Sequence, residues 1–307
     1  MKKTIGGKLR KLIFKIRYMR NSEYDSNKKY YIIYRNDDMA GLVSYFITNL
    51  GQMKYAIDNN KIPIVDMKNF ANVYQEPYDY CKVNSWDYYF EQDIDSTNLE
   101  DIYRSDNWTF CKSGVPYPNV NIDTLLNKKL LNEWHEVYEK CIHLRGEITV
   151  SVDEFWKSKI GGDNKTVGVL LRGTDYFAFR PKGHPVQPEV DVSIDEVKKK
   201  RAEWAFDKIF LVTEDNRIQE AFLEEFGDEV ILPNSLLYKY EDGKYVGELA
   251  AERDNDRYLH GKEYLEALVL LGKCDYFIAG ITSGTVCSRI MAEGFEKEFY
   301  FNLGVYS

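Results

Sequence analysis

The sequence predicts an α/β protein with two Rossmann-like halves, the C-terminal one a doubly wound parallel sheet. Three observations predict it. Short runs of β-branched, aliphatic and aromatic residues recur in Val167–Leu171, Ile209–Val212 and Tyr276–Ala279, and such unbroken apolar runs mark strands buried on both faces. Stretches with helical spacing separate the runs, so strand and helix alternate. Polar and glycine residues break out where each run ends, at the edge of an open α/β sheet that holds ligands.

At 307 residues the chain can form two domains. Its 44% hydrophobic and 15% aromatic content supplies a filled core and excludes global disorder. A net charge of −8 argues against a nucleic-acid binder. The five cysteines, Cys81, Cys111, Cys141, Cys274 and Cys287, are scattered and form no CxxC pair, which fits reduced cytoplasmic thiols and offers no zinc site. No run of eighteen apolar residues is present, and no apolar signal segment is visible at the N-terminus.

Residues 1–20 depart from the acidic average, with eight Lys or Arg and no acid. Leu9, Leu12, Ile13 and Ile16 share one helical face. Two readings stand: a basic helix lying in an anionic membrane surface, or one that packs its stripe on the protein. Tyr30–Tyr34 then reads as a strand, Asn36–Gly41 as a turn, residues 42–53 as a helix and Lys61–Asp66 as a second strand, a βαβ opening. Asp37-Asp38 invites a metal-ligand reading, but two adjacent acids without a histidine more often cap a turn. Residues 70–120 mix Tyr and Trp with Asn and Asp in weak periodicity. They read either as a sugar-binding surface or as irregular structure around a partly buried aromatic core. Thr124–Ile148 reads as one long helix that links the halves.

The C-terminal half carries the chemistry. Arg172-Gly173-Thr174-Asp175 follows the Val167–Leu171 strand. Arginine offers a planar, permanently charged fork that matches a phosphate edge, and Gly173 lets the backbone approach a ligand. An Arg172–Asp175 pair that simply holds the strand end is the alternative. His184 sits in a proline-stiffened loop, as a positioned ligand group or as a structural histidine. Ser193 and Glu196 form a Ser-x-x-Glu capping pattern at a helix start. Thr213, Glu214 and Asp215 end the next strand. Thr282, Ser283, Gly284 and Thr285 lie between a strand and a helix, where backbone N–H groups and hydroxyls make an anion corner. Either side chain, Thr282 or Ser283, can instead be an ordinary N-cap. Arg172 and this corner aim at one crevice, so a pyrophosphate-bearing ligand is expected there.

Arg172–Asp175 after a hydrophobic strand, with His184-Pro185 nine residues past the Asp, resembles the first motif of the α1,6/α1,2/protein-O fucosyltransferase superfamily. Ile209–Asp215 and Cys274–Arg289 look like its second and third motifs, in the right order. The resemblance covers the C-terminal half; the N-terminal half matches only through the Gly41-Leu42 turn and the strand with Ile62–Asp66. It implies a GT-B-like fold, with residues 1–22 a basic amphipathic segment, 23–150 an acceptor-side half and 151–307 the half that binds a nucleotide sugar. It also implies that the 36–41 turn, with Asn36 and Gly41, faces the donor sugar. The acids of Thr213–Asp215 would hold the guanine or ribose of GDP-fucose. Where the α1,6 branch has a second Arg and, after the Asp, a Lys, this chain has Gly173 and Tyr176. Arg180 stands where that branch places a Glu, so the general base is unassigned.

The expectation is an inverting, metal-independent glycosyltransferase, with Arg172, Asp175 and His184 as its catalytic set. It would transfer fucose from GDP-fucose to a glycan in surface-polysaccharide synthesis, as a cytoplasmic enzyme with peripheral contact to the inner face of the membrane. No cofactor beyond the donor substrate is expected. A different nucleotide sugar, or a catalytically silent glycan-binding protein, remain the alternatives.

Overall fold

The structure, a computed structural model, describes residues 7–18, 28–35, 37, 39–92, 98–105, 107–238 and 249–307; of residues 7–9 and 175 it describes the backbone only. The N-terminal half runs through α1 (Gly7–Tyr18), β1 (Tyr30–Ile33), α2 (Leu42–Asp58), β2 (Ile62–Val65), β3 (Phe90–Glu91), α3 (Leu99–Arg104) and β4 (Trp108–Phe110). β1 is buried throughout and lies between β2 and β4, parallel to both, with Tyr30 opposite Ile62 and Trp108. The sequence concealed β4, which is three residues long and sits in the aromatic-rich stretch without alternation.

The basic N-terminal helix forms, but it docks through a different face from the aliphatic stripe. Phe14 stacks on Phe70 with centroids 5.8 Å apart and touches the rings of Tyr103 and Phe110. Tyr18 donates a 2.8 Å hydrogen bond to Asn69, and Lys11 Nζ donates one of 2.6 Å to the Trp108 carbonyl. Aromatic rings bury more area than Leu or Ile, so they take the inner position. Leu12, Ile13 and Ile16 stay 52%, 43% and 62% exposed.

The predicted linking helix is broken into α4 (Ile122–Leu126), α5 (Lys128–Cys141), β5 (His143–Leu144) and α6 (Gly146–Phe155). Asn127 leaves the helical region at φ −89° and ψ 85°, and its side chain caps α5 by accepting from the Leu130 N–H at 3.1 Å. A local side-chain bond of this kind competes with helix continuation. β5 pairs antiparallel with β3.

The C-terminal half follows as β6 (Thr166–Leu170), α7 (Thr174–Phe179), α8 (Val190–Trp204), β7 (Lys208–Val212), α9 (Asn216–Phe226), β8 (Val230–Ile231), α10 (Asp256–Gly272), β9 (Tyr276–Gly280), α11 (Ser283–Met291) and β10 (Lys297–Phe301). The parallel strands run in the order β10-β9-β6-β7-β8, so the chain turns back between β6 and β9. That reversal leaves a crevice beyond their carboxyl ends. α8 begins four residues earlier than the Ser-x-x-Glu pattern predicts, and the Ser193 hydroxyl bonds back to the Glu189 carbonyl instead of capping. The two halves share one apolar core, in which Phe46 and Leu50 of α2 belong to the same cluster as Leu268, Val286 and Ile290 of α10 and α11.

Candidate active site

Every residue of β6 is buried, and the chain emerges at Arg172. The Arg172 guanidinium lies over the Tyr176 ring, 4.6 Å from its centroid, with Nε 3.8 Å from Glu214 Oε1. Glu214 Oε1 also accepts from the Gly173 N–H at 3.0 Å and the Thr174 hydroxyl at 3.2 Å. The adjacent Asp215 accepts from the Thr174 N–H at 2.9 Å and caps α9 through the Arg217 N–H, also at 2.9 Å. The end of β7 therefore clamps the turn that carries Arg172. Burial pushes the Asp215 carboxyl upward, yet its bonds to Arg217 and to the two N–H groups outweigh that and hold it below the usual carboxylate range.

Across the crevice, Thr282 caps α11 in a reciprocal box with Thr285. This turns the first N–H groups of α11 and the Ser283 side chain to the crevice. Gly284 is dictated by Tyr264, whose hydroxyl would lie 2.4 Å from a Cβ at that position. Tyr264 sits between the two sides: it packs on Gly284, and the Arg172 charge acts on its hydroxyl, whose pKa burial pushes well above the ordinary value.

The His184 loop forms a third side. Tyr176 Oη and His184 Nδ1 are 3.1 Å apart. The C-terminal residues strap the loop down: the Gly183 N–H donates to the Tyr306 carbonyl at 2.8 Å and the Tyr306 N–H returns a bond to the His184 carbonyl at 2.9 Å. The fourth side comes from the N-terminal half, where Asp37 and the 39–44 segment face the crevice. Asp37 is committed to Arg35 in a 2.6 Å ion pair. The Leu42 N–H at the head of α2 donates to the Tyr74 hydroxyl.

These walls enclose a cavity of about 530 Å³, within the range of small-molecule sites. Of the residues singled out from the sequence, Arg172, His184, Thr213, Glu214, Ser283, Gly284 and Gly41 line it. Asp215, Thr282 and Thr285 are buried behind the wall and their side chains bond to protein groups. Asn36 and the Asp175 side chain lie outside the described residues. Sequence reasoning missed the α10 face, His260, Glu263, Tyr264 and Ala267, and also Tyr74 and Tyr238. The i, i+3, i+4, i+7 spacing on α10 was the available signal. Burial holds His260 below its ordinary pKa, against the pull of Asp256 and Glu263, and its ring stacks on Tyr238 at 4.3 Å. Arg253 ties Tyr238, Asp256 and Glu263 into one network beneath that stack.

No protein-family model matches the sequence, and no curated protein matches it. Solved structures do. The fucosyltransferase NodZ from Bradyrhizobium is 15% identical and superposes with a TM-score of 0.50 over 87% of this chain and 94% of its own. NodZ α1,6-fucosyltransferase soaked with GDP-fucose aligns with 14% identity over 86% of this chain and 93% of its own, at a TM-score of 0.50. POFUT1 in complex with GDP-fucose is 11% identical, with a TM-score of 0.52 over 92% of this chain and the whole of its own. The chain shares their fold. The GT-B-like architecture thus extends over both halves, including the N-terminal half, where the motifs were few. Within this fold the cavity occupies the crevice at the switch point of the C-terminal sheet, with Arg172 on one side and the head of α11 on the other.

Proposed function

We propose that the protein is an inverting glycosyltransferase that moves fucose from GDP-fucose to a glycan. One observation carries the reading: Arg172 and the amino end of α11, two anion-binding devices from different motifs, line one cavity at the switch point of the sheet. Both would meet a diphosphate held in that cavity, and the fold is that of proteins solved with GDP and GDP-fucose. In the reaction the bond from the anomeric carbon to the diphosphate oxygen breaks as the acceptor oxygen bonds from the opposite face. Negative charge grows on the diphosphate, and Arg172 with the α11 N–H groups neutralises it. Glu214 and Tyr176 hold the guanidinium by edge and face, so its orientation is set before the donor arrives. His184, braced by Tyr176, is the nearest histidine of the cavity wall to Arg172 in sequence and our candidate to receive the acceptor's proton.

The acceptor is read as a glycan of surface-polysaccharide synthesis, used in the cytoplasm at the inner face of the membrane; unpaired cysteines and the basic first helix support this. No divalent metal is required in this reading. Thermal melting with GDP, UDP and CMP tests the donor. A nucleotide at 100 times its Kd stabilises by about 2.7 kcal/mol, and GDP is expected to do so. A shift with UDP or CMP but not GDP would replace the donor and keep the reaction class. No shift with any nucleotide would favour a glycan-binding protein.

A further inference from the structure

α1 presents an aliphatic face that the fold does not use. Phe14 and Tyr18 bury the opposite face among Phe70, Tyr103 and Asn69. Arg10 is held as well, its guanidinium 4.8 Å from the centre of the Tyr34 ring. The helix is therefore part of the folded body, fixed through rings and hydrogen bonds. That attachment turns Leu12, Ile13 and Ile16 to the solvent at 52%, 43% and 62% exposure. Three large aliphatic side chains on adjacent turns form an unusual surface for a protein that could have buried them.

The charge around this face identifies its occupant. Residues 1–20 carry eight Lys or Arg and no Asp or Glu, in a chain whose net charge is −8. Lys15 and Arg17 belong to the last turn of the helix, beside Ile16. A second copy of this acidic chain would bring net negative charge, but it would also bring its own basic helix to a symmetric contact. A surface that is apolar beneath and anionic above satisfies both features at once, and a bilayer with acidic headgroups is such a surface. We infer that α1 is a monotopic anchor: it lies along an anionic lipid surface, with Leu12, Ile13 and Ile16 entering the acyl boundary and the neighbouring basic residues meeting headgroup phosphates. The aromatic face stays on the protein throughout. The inference does not depend on the sugar donor or on catalysis.

Co-sedimentation of the full chain with vesicles tests it. The probes are vesicles of phosphatidylcholine alone and of phosphatidylcholine with phosphatidylglycerol. The expected result is binding to the mixed vesicles at least tenfold tighter than to the neutral ones, weakened by raised salt. The Ile13→Glu/Ile16→Glu variant should lose at least tenfold of that binding while its Tm is unchanged, because both side chains are already in water. Equal binding by variant and native chain would overturn the inference. So would failure of the native chain to bind mixed vesicles, together with a dimer in solution that the double substitution dissolves; the face would then belong to a second copy. Lys8→Gln/Lys15→Gln/Arg17→Gln separates the two contributions: it should reduce binding to the mixed vesicles alone, and a variant that binds them like the native chain would also count against the inference.

Discussion

A carboxylate oxygen of Asp215 occupies the space that a side chain on residue 173 would need: a Cβ built on Gly173 would come within 2.1 Å of Oδ2 and 2.7 Å of the Asp215 Cβ. Asp215 is buried and held by the Thr174 and Arg217 N–H groups and by two nitrogens of the Arg217 guanidinium, so it cannot swing away. The glycine that separates this chain from the Arg-Arg pattern of the α1,6 branch is therefore a steric requirement of its own clamp. Gly173→Ala should lower stability by about 1–3 kcal/mol, the usual range for overpacking. Because the shift moves the turn behind Arg172, GDP binding should weaken with it. Melting curves with and without GDP measure both effects, and an unchanged melting curve would refute the steric account.

Arg172 should matter for turnover more than for folding. In the proposed reaction its fork would see more charge on the departing diphosphate than on the bound donor, so its loss would act mainly on the transition state. Arg172→Ala is expected to reduce kcat about 10²–10³-fold. Arg172→Lys should also be impaired, because a point charge does not reproduce the bidentate geometry or the packing on Tyr176. Both variants should melt near the native temperature. Donor turnover and Tm measured together separate this from a purely structural arginine, which would give a low Tm and normal turnover in the folded fraction.

Asp215 should show the reverse pattern. Asp215→Asn keeps the size and, through its remaining oxygen, the α9 cap, but turns an amide nitrogen on the Thr174 N–H and the Arg217 guanidinium and so removes those two bonds. A loss of about 2 kcal/mol at neutral pH follows from these terms. The folded-state pKa is depressed, so this stability is fully present above the unfolded value, about 3.9, and is lost as pH falls through the folded value. The Tm difference between native and variant should therefore begin to narrow below about pH 4 and keep narrowing as the pH falls further. A difference that stays constant or widens as the pH is lowered from about 5 through this range would contradict the assignment.

Transfer should survive chelation. In the proposed reaction the positive charge opposite the diphosphate is supplied by Arg172 and α11, and Asp37 is already paired with Arg35 at 2.6 Å. Assays with EDTA should match assays without it. Activity lost in EDTA and restored by Mn²⁺ would move attention to Asp37 and Asp38.

The C-terminal sheet was legible because β6, β7 and β9 are buried on both faces and so appear as unbroken apolar runs. Arg172, Glu214, Ser283 and Gly284 follow those runs directly, and position alone brought them to the cavity. The direction in which a side chain points was not legible. Asp215 and Thr285 are neighbours of cavity residues, yet each turns inward to satisfy backbone donors or acceptors. The spacing of His260, Glu263, Tyr264 and Ala267 marks one face of α10, but that this face and Tyr74 meet at the site is decided by tertiary packing that local periodicity does not encode. The break at Asn127 was hidden because apolar residues continue on both sides of it. The N-terminal helix misled for a different reason: its aliphatic stripe is regular, but two aromatic rings outside the stripe decide which side packs.

The common core of the halves has a consequence for cooperativity. Leu50 of α2 and Ile290 of α11 are buried in one cluster, so parting the cavity walls would expose that cluster to water. Neither half then has a separate melting point of its own. Trp86, Trp108 and Trp134 report on the first half and Trp156 and Trp204 on the second; in urea all five environments should be lost in a single transition. A single transition would make the cavity a cleft within one folding unit, which a ligand enters through its mouth; two separate transitions would refute this.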